Sequence, residues 1–213
     1  MLVNITMKRL IDFHGHLCPD LIIGAKFSEY VQKFLSSRED KKISIIAENS
    51  TSAIDAIQVL LGTTVGNHRL HIFDFGKHNY TVFLTGSREA FRFSLKEISF
   101  GDEEEFNQLG EKIIDEEIVF DEIIRLQKLL DERVRLLLEL KPNQLFEIEE
   151  LDEWIPLLKE MPSVYITCEE CKQPVLKRYK VDYKGKSYCI PCFQKVSSKH
   201  VSSIQQIWRD FHG

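Results

Sequence analysis

Two cysteine pairs near the C-terminal end, Cys168-x-x-Cys171 and Cys189-x-x-Cys192, constrain this chain more than any other feature. A C-x-x-C turn presents two thiolates from one tight bend, and two such turns 17 residues apart supply four sulfur donors. This is the ligand spacing of a structural zinc site. A closed tetrahedral sulfur cage leaves no position for a substrate, so zinc held here staples a fold and does no chemistry. Two disulfides, or four buried thiols, are the competing account, but two pairs at this spacing rarely arise from packing alone.

The cysteines also bear on compartment. Four of the five stand in zinc spacing, which fits a reducing cytoplasm better than a secreted disulfide scaffold. Residues 1–8 show no secretory apolar region, and no apolar run reaches the roughly 20 residues that span a bilayer. A cytoplasmic protein with no membrane association is therefore expected. At 213 residues, 43% of them hydrophobic and 29% charged, the chain is long enough for one sizeable core and a small module.

Its net charge of -5 is unevenly spread. From residue 161 onward there are 9 Lys and Arg against 4 Asp and Glu; residues 1–160 carry 19 against 29. An acidic body with a basic module directs any nucleic-acid contact to the module, through Lys172, Lys177, Arg178, Lys180, Lys184 and Lys186. A merely solvated basic surface accounts for the same balance. Trp154 and Trp208 read as packing residues and not as base-stacking platforms.

Periodicity predicts helices over residues 21–35 and 52–61, the second stopped by Gly62. Strands are predicted at 43–47, 70–75, 80–85 and 90–94, with turn pairs Gly76-Lys77 and Gly86-Ser87 implying antiparallel pairing. Residues 121–140 read as a helix ended by Lys141-Pro142-Asn143, and its Leu, Ile and Val content exceeds one narrow stripe. Such a helix is expected to lie between the core and a partner, hence a homodimer. Residues 146–158 read as a connector.

The expected fold class is α+β: an antiparallel sheet packed with helices over residues 1–160, then a zinc module over 161–213 entered at Met161-Pro162-Ser163. In the module, a knuckle, a hairpin turning at Lys184-Gly185 and a helix from the second cysteine pair through Val196, Val201, Ile204, Ile207 and Trp208 make a treble-clef-like order. A zinc ribbon is the close alternative and lacks that helix. So few apolar residues cannot fold alone, so metal should supply much of the folding free energy.

A second cluster, His14-x-His16-x-Cys18, lies just ahead of the first predicted helix. If extended, the three side chains project to one side. Pro19 suits the first helical turn, and a thiol at a helix N-terminus has its thiolate favoured. The cluster can hold a second transition metal or serve catalysis, with His16 and Cys18 as acid, base or nucleophile. Histidines capping turns and Cys18 packed as a small hydrophobe are the structural alternative.

His14-Gly15-His16-Leu17-Cys18-Pro19, Asp55-Ala56-Ile57-Gln58, Gly62-Thr63-Thr64 and Asp74-Phe75-Gly76-Lys77 follow in that order. This series resembles the motifs of the FmdE family, named for a protein associated with formylmethanofuran dehydrogenase, over roughly residues 10–100. The resemblance implies an α+β core, in some members followed by a treble-clef zinc finger, and no established activity. It also implies departures: Asp20 stands at a usual glycine, and Ser52 and Thr63 at usual cysteines. Gly66-Asn67-His68-Arg69-Leu70 replaces a glycine-lysine-glycine motif and brings in a histidine. Hydroxyls are poor soft-metal ligands, which leaves His14, His16 and Cys18, helped by His68 or Asp55. Asp55 and Lys77 are the candidate cofactor-binding residues, although Gly76-Lys77 also reads as a hairpin turn. Two functions stand side by side: a metal-dependent enzyme, and an accessory or regulatory protein that binds a ligand, a protein or nucleic acid.

Overall fold

Pro19 fixes the start of the central helix, and everything in the larger of two compact units is arranged about it. The computed structural model describes residues 2–36, 42–152 and 163–197, and the chain divides into units of residues 1–158 and 159–213. Helix α1 (Leu2–His14) precedes α2 (Pro19–Phe34), β1 (Ile43–Ala47) and α3 (Ala53–Leu61). Strands β2 (Leu70–Ile72), β3 (Asn79–Leu84) and β4 (Ala90–Leu95) follow, then α4 (Glu103–Ile114), α5 (Phe120–Glu139), α6 (Pro142–Leu145) and β5 (Phe146–Leu151). Five strands form one sheet in the order β2-β1-β3-β4-β5.

Alternation in the strands turns Ile43, Ile45, Tyr80, Val82, Leu84, Phe91 and Phe93 onto one face, where they meet Ile22, Ile23, Phe27 and Val31 of α2. Phe27 stacks on Tyr80 with ring centroids 4.3 Å apart and meets Phe93 edge-on. The other flank of α2 packs Leu21 and Ala25 against Leu10 and Ala56, which brings α1 and α3 alongside. Gly24 sets the distance of that crossing: a Cβ there would lie 2.4 Å from the Ala53 carbonyl oxygen, so only glycine fits.

The α+β class is as expected, as are helices α2, α3 and α5 and the αL stop at Gly62, with φ of 65°. Three expectations fail. Strand β2 pairs with β1 in parallel and lies at the sheet edge, with β1 between it and β3. Gly76-Lys77 is therefore not a hairpin turn but part of a crossover loop, whose Phe75 and Lys77 amides donate to the Glu48 carbonyl. The expected antiparallel turn at Gly86-Ser87 does join β3 to β4. Residues 146–151 are not a connector: Phe146 and Ile148 alternate into the core, and the segment pairs antiparallel with β4. Helix α5 buries Leu126, Leu129, Val134 and Leu137 but exposes Ile123, Ile124 and Leu138, so its apolar surplus faces outward.

In the second unit, β6 (Tyr165–Thr167) pairs with β7 (Pro174–Leu176), and β8 (Lys180–Tyr183) with β9 (Lys186–Cys189). Helix α7 (Ile190–Ser197) starts directly after Cys189. The predicted continuation of that helix through Val201, Ile204, Ile207 and Trp208, the packing of Trp154, and the Met161-Pro162 entry lie outside the described residues. Among the described residues, no helix is long and apolar enough to cross a membrane.

Candidate functional site

The four cysteines of the smaller unit converge, with all sulfur atoms within 4.8 Å of one another. Cys168 and Cys171 lie on the turn between β6 and β7, which bends back through Lys172 at φ of 59° and closes with the Lys172 amide donating to the Cys168 carbonyl. Cys189 and Cys192 come from the end of β9 and the first turn of α7. Cys171 and Cys189 sulfurs stand 4.0 Å apart, close to the about 3.8 Å edge of a tetrahedral zinc–sulfur cage.

Burial alone would push the Cys168 thiol up, but amides of Cys189, Cys171 and Glu170 donate to its sulfur and draw it down to about 6. Contact with the Cys189 side chain, and then burial, push Cys192 up to about 12. Charge on one sulfur thus makes its neighbours hold their protons, a conflict that a divalent cation relieves. The set fits zinc.

The larger unit holds the second cluster. It is not an extended strand. His14 ends α1, Gly15 turns the chain at φ of 102°, and Cys18 is the extended N-cap residue of α2. A turn between two helices, and not β alternation, brings the three donors within 4.8 Å of one another. His14 and His16 rings lie 4.7 Å apart, and Cys18 Sγ is 3.8 Å from His14 Nε2. Two ligands on one tetrahedral zinc would stand about 3.6 Å apart for sulfur and nitrogen.

Asp55 completes the arrangement from the first turn of α3. Its Oδ2 lies 2.8 Å from His14 Nδ1, so with the carboxylate ionised Nδ1 carries the proton and Nε2 presents its lone pair toward Cys18. Metal-bound histidines are commonly oriented by a carboxylate in this way. The same contacts also order a thiol, an imidazole base and an orienting carboxylate, the geometry a nucleophilic cysteine requires. His14 is largely buried, whereas His16 is exposed, so three protein donors leave the outer side open.

Not all the residues singled out in the sequence meet here. Ser52 and Asp55 stand at the N-terminal end of α3; Thr63 follows its C-terminal end, as does His68 in the next turn. Nine helical residues, about 13 Å, separate those ends, so positions 52 and 63 cannot serve one ligand set within this chain. Thr63 is fully buried and its hydroxyl has no partner among the described residues. Lys77 lies exposed in the loop of residues 73–78, at the C-terminal ends of parallel strands β1 and β2, where open sheets place ligands.

Two networks at this end had no signal in the sequence. Glu48, 8% exposed, takes both guanidinium nitrogens of Arg92 at 2.7 and 3.0 Å and an Asn79 amide at 3.0 Å. His78 joins Asp20 (3.4 Å) to the Tyr80 hydroxyl (2.8 Å), which also accepts from Asn49 at 3.3 Å. Burial raises the Tyr80 phenol far above its ordinary range, so it stays a neutral link. Asp20, the departure from the usual glycine, thereby ties the N-terminus of α2 to the 73–78 loop. In the small unit, Lys172 and Lys186 pair with Glu169, and Lys180 with Asp182, so half of the expected polyanion-binding set is already neutralised.

Comparison with known proteins matches residues 13–147 to the family described as FmdE, Molybdenum formylmethanofuran dehydrogenase operon. A probable S-adenosyl-L-methionine-binding protein of Archaeoglobus fulgidus is 33% identical over 82 residues. These are 36% of this chain and 22% of that relative, so the chain spans about a fifth of its length. The crystal structure of an FmdE-like protein of tungsten formylmethanofuran dehydrogenase from Syntrophus aciditrophicus is 19% identical, with a TM-score of 0.57. The likeness covers 91% of this chain and 92% of that one, and it shows a shared fold.

Proposed function

The chain belongs to the FmdE family, and from that premise we propose that it is an accessory protein of the cytoplasm, with a ligand-binding metal centre in the core and a structural zinc module of treble-clef type. The core centre is His14, His16 and Cys18. The observation that carries this reading is the Asp55–His14 contact, which leaves Nε2 facing the Cys18 sulfur. Nitrogen and sulfur donors favour zinc or a neighbouring divalent transition metal over magnesium or calcium. A metal there would offer its open side to an anionic or soft ligand, with Lys77 at the same end of the sheet.

For the small unit, a knuckle, a hairpin and a helix starting at the second cysteine pair support the treble clef over the zinc ribbon. The segment shared with the Archaeoglobus relative is a minor part of a longer polypeptide, which supports a module that accompanies other proteins. The S-adenosylmethionine binding named for that relative is not carried over.

A second reading is an enzyme in which Cys18 attacks or ligates while His14 and His16 hold or move protons. The Cys18–His14–Asp55 order favours it. Nucleic-acid binding through the small unit is the weakest reading, because Lys172, Lys180 and Lys186 are paired with carboxylates of the same unit.

Elemental analysis of the purified protein tests the proposal. The expected result is about two metals per chain, falling to one in a His16→Ala/Cys18→Ser variant. One metal per chain, unchanged in that variant, overturns the core centre. Alkylation of Cys18 by iodoacetamide, equally fast with and without a chelator and slowed by Asp55→Asn, would then favour the nucleophile.

A further inference from the structure

The helical hairpin of α4 and α5 has a small core of its own, built from Leu109, Leu126 and Leu129 with Phe106, Ile118 and Leu130 against them. Its connection is tightly closed. Glu116 takes φ of 59°, and the Glu117 and Ile118 amides both donate to the Lys112 carbonyl. Ion pairs Arg125–Glu105 and Lys112–Glu122 bind the two helices together. The hairpin is therefore well ordered, yet six large apolar side chains near its tip remain in solvent. Ile114 is 80% and Phe120 74% exposed, and Ile113, Val119, Ile123 and Ile124 are each about half exposed. Scattered exposed apolar residues need no account, but six within a stretch of twelve form a patch of the kind that marks an interface.

Charge identifies the occupant. Residues 111–124 carry six carboxylates (Glu111, Asp115, Glu116, Glu117, Asp121 and Glu122) against the single cation Lys112. A second copy of the same tip would bring like charges together around the apolar contact, which disfavours self-association. An acidic lipid surface is disfavoured for the same reason. Behind the patch, between the two helices, lies a groove of about 330 Å³ lined by Glu105, Asp121 and Glu122 among others, which offers carboxylates to long cationic side chains. We propose that the tip of the α4–α5 hairpin is a docking surface for a partner protein's basic amphipathic helix. The apolar face of that helix covers Ile114, Phe120 and Ile124, and its lysines or arginines meet the surrounding carboxylates. The proposal is independent of any metal in the core.

The test uses the full chain and a fluorescent helical peptide with one leucine face and one lysine face. Saturable binding that weakens with added salt is expected, and a peptide with glutamate in place of lysine should bind at least about tenfold more weakly. Ile114→Ser/Phe120→Ser should reduce affinity about tenfold or more, leaving the hairpin core untouched. Should that variant unfold by circular dichroism, Glu117→Lys/Asp121→Lys provides the same test on the charged rim and should reverse the preference between the two peptides. Absence of saturation, equal affinity for both peptides, or unchanged binding in the charge-reversed variant overturns the proposal. So does sedimentation showing a dimer that Ile114→Ser/Phe120→Ser turns into a monomer, since the patch would then be a self-interface.

Discussion

The two ligand clusters draw on the same chemistry and solve opposite problems. In the small unit, four sulfurs come from two local turns, and amides from the knuckle and its neighbouring strand point at Cys168. Cys168 and Cys192 are buried and the donor set is complete. In the core, three mixed donors come from one interhelical turn, His16 faces solvent, and the orienting carboxylate arrives from a helix 41 residues on. A complete sulfur set suits a fold that lacks apolar residues; an incomplete set on a rigid core suits a site that must accept something. The first cluster holds its unit together, whereas the second is held by its unit.

That contrast can be broken by experiment. Cys168→Ser should abolish metal binding in the small unit and unfold it, because structural zinc contributes on the order of 10 kcal/mol to such modules. Amide spectra should show collapse of signals from residues 163–197 alone, and a loss of core dispersion would mean that the two regions are not independent. Next in size, Gly24→Ala should destabilise the core by about 3 kcal/mol in denaturant melts, since the Ala53 backbone cannot give way. It should also weaken metal at the core, because the same crossing carries Asp55.

Asp55→Asn should lower core metal affinity about 10- to 100-fold in chelator competition while the four-cysteine site keeps its metal. An unchanged core affinity would mean that His14 needs no orienting partner. Smallest, Thr63→Val should raise stability by about 1 kcal/mol, since it removes a buried hydroxyl that lacks a partner, and should leave both metal sites as they were.

The difference between the clusters also explains how far each was legible. Cys168 to Cys171 and Cys189 to Cys192 are local spacings, fixed by single turns whose geometry follows from the chain itself. Pro19 at the first turn of α2 and Gly62 at the stop of α3 are equally local. His14-x-His16-x-Cys18 was readable as a group but not in its conformation: periodicity offered β alternation, and the chain used the end of α1 and a glycine turn. The parallel pairing of β2 was hidden because a three-residue strand carries no mark of its neighbour.

By itself, the sequence determined the donor sets, the ends of α2 and α3, and the faces of helix and strand, because these depend on residues within a turn or two of one another. Only the tertiary structure decided that Asp55 reaches His14, that Glu48 clamps Arg92, and that Thr63 lies at the wrong end of α3 to replace a ligand. Those outcomes rest on contacts between residues far apart in the chain. They are set by the close approach of Gly24 to Ala53 and by a sheet order that follows from burying both flanks of α2, which no local pattern records.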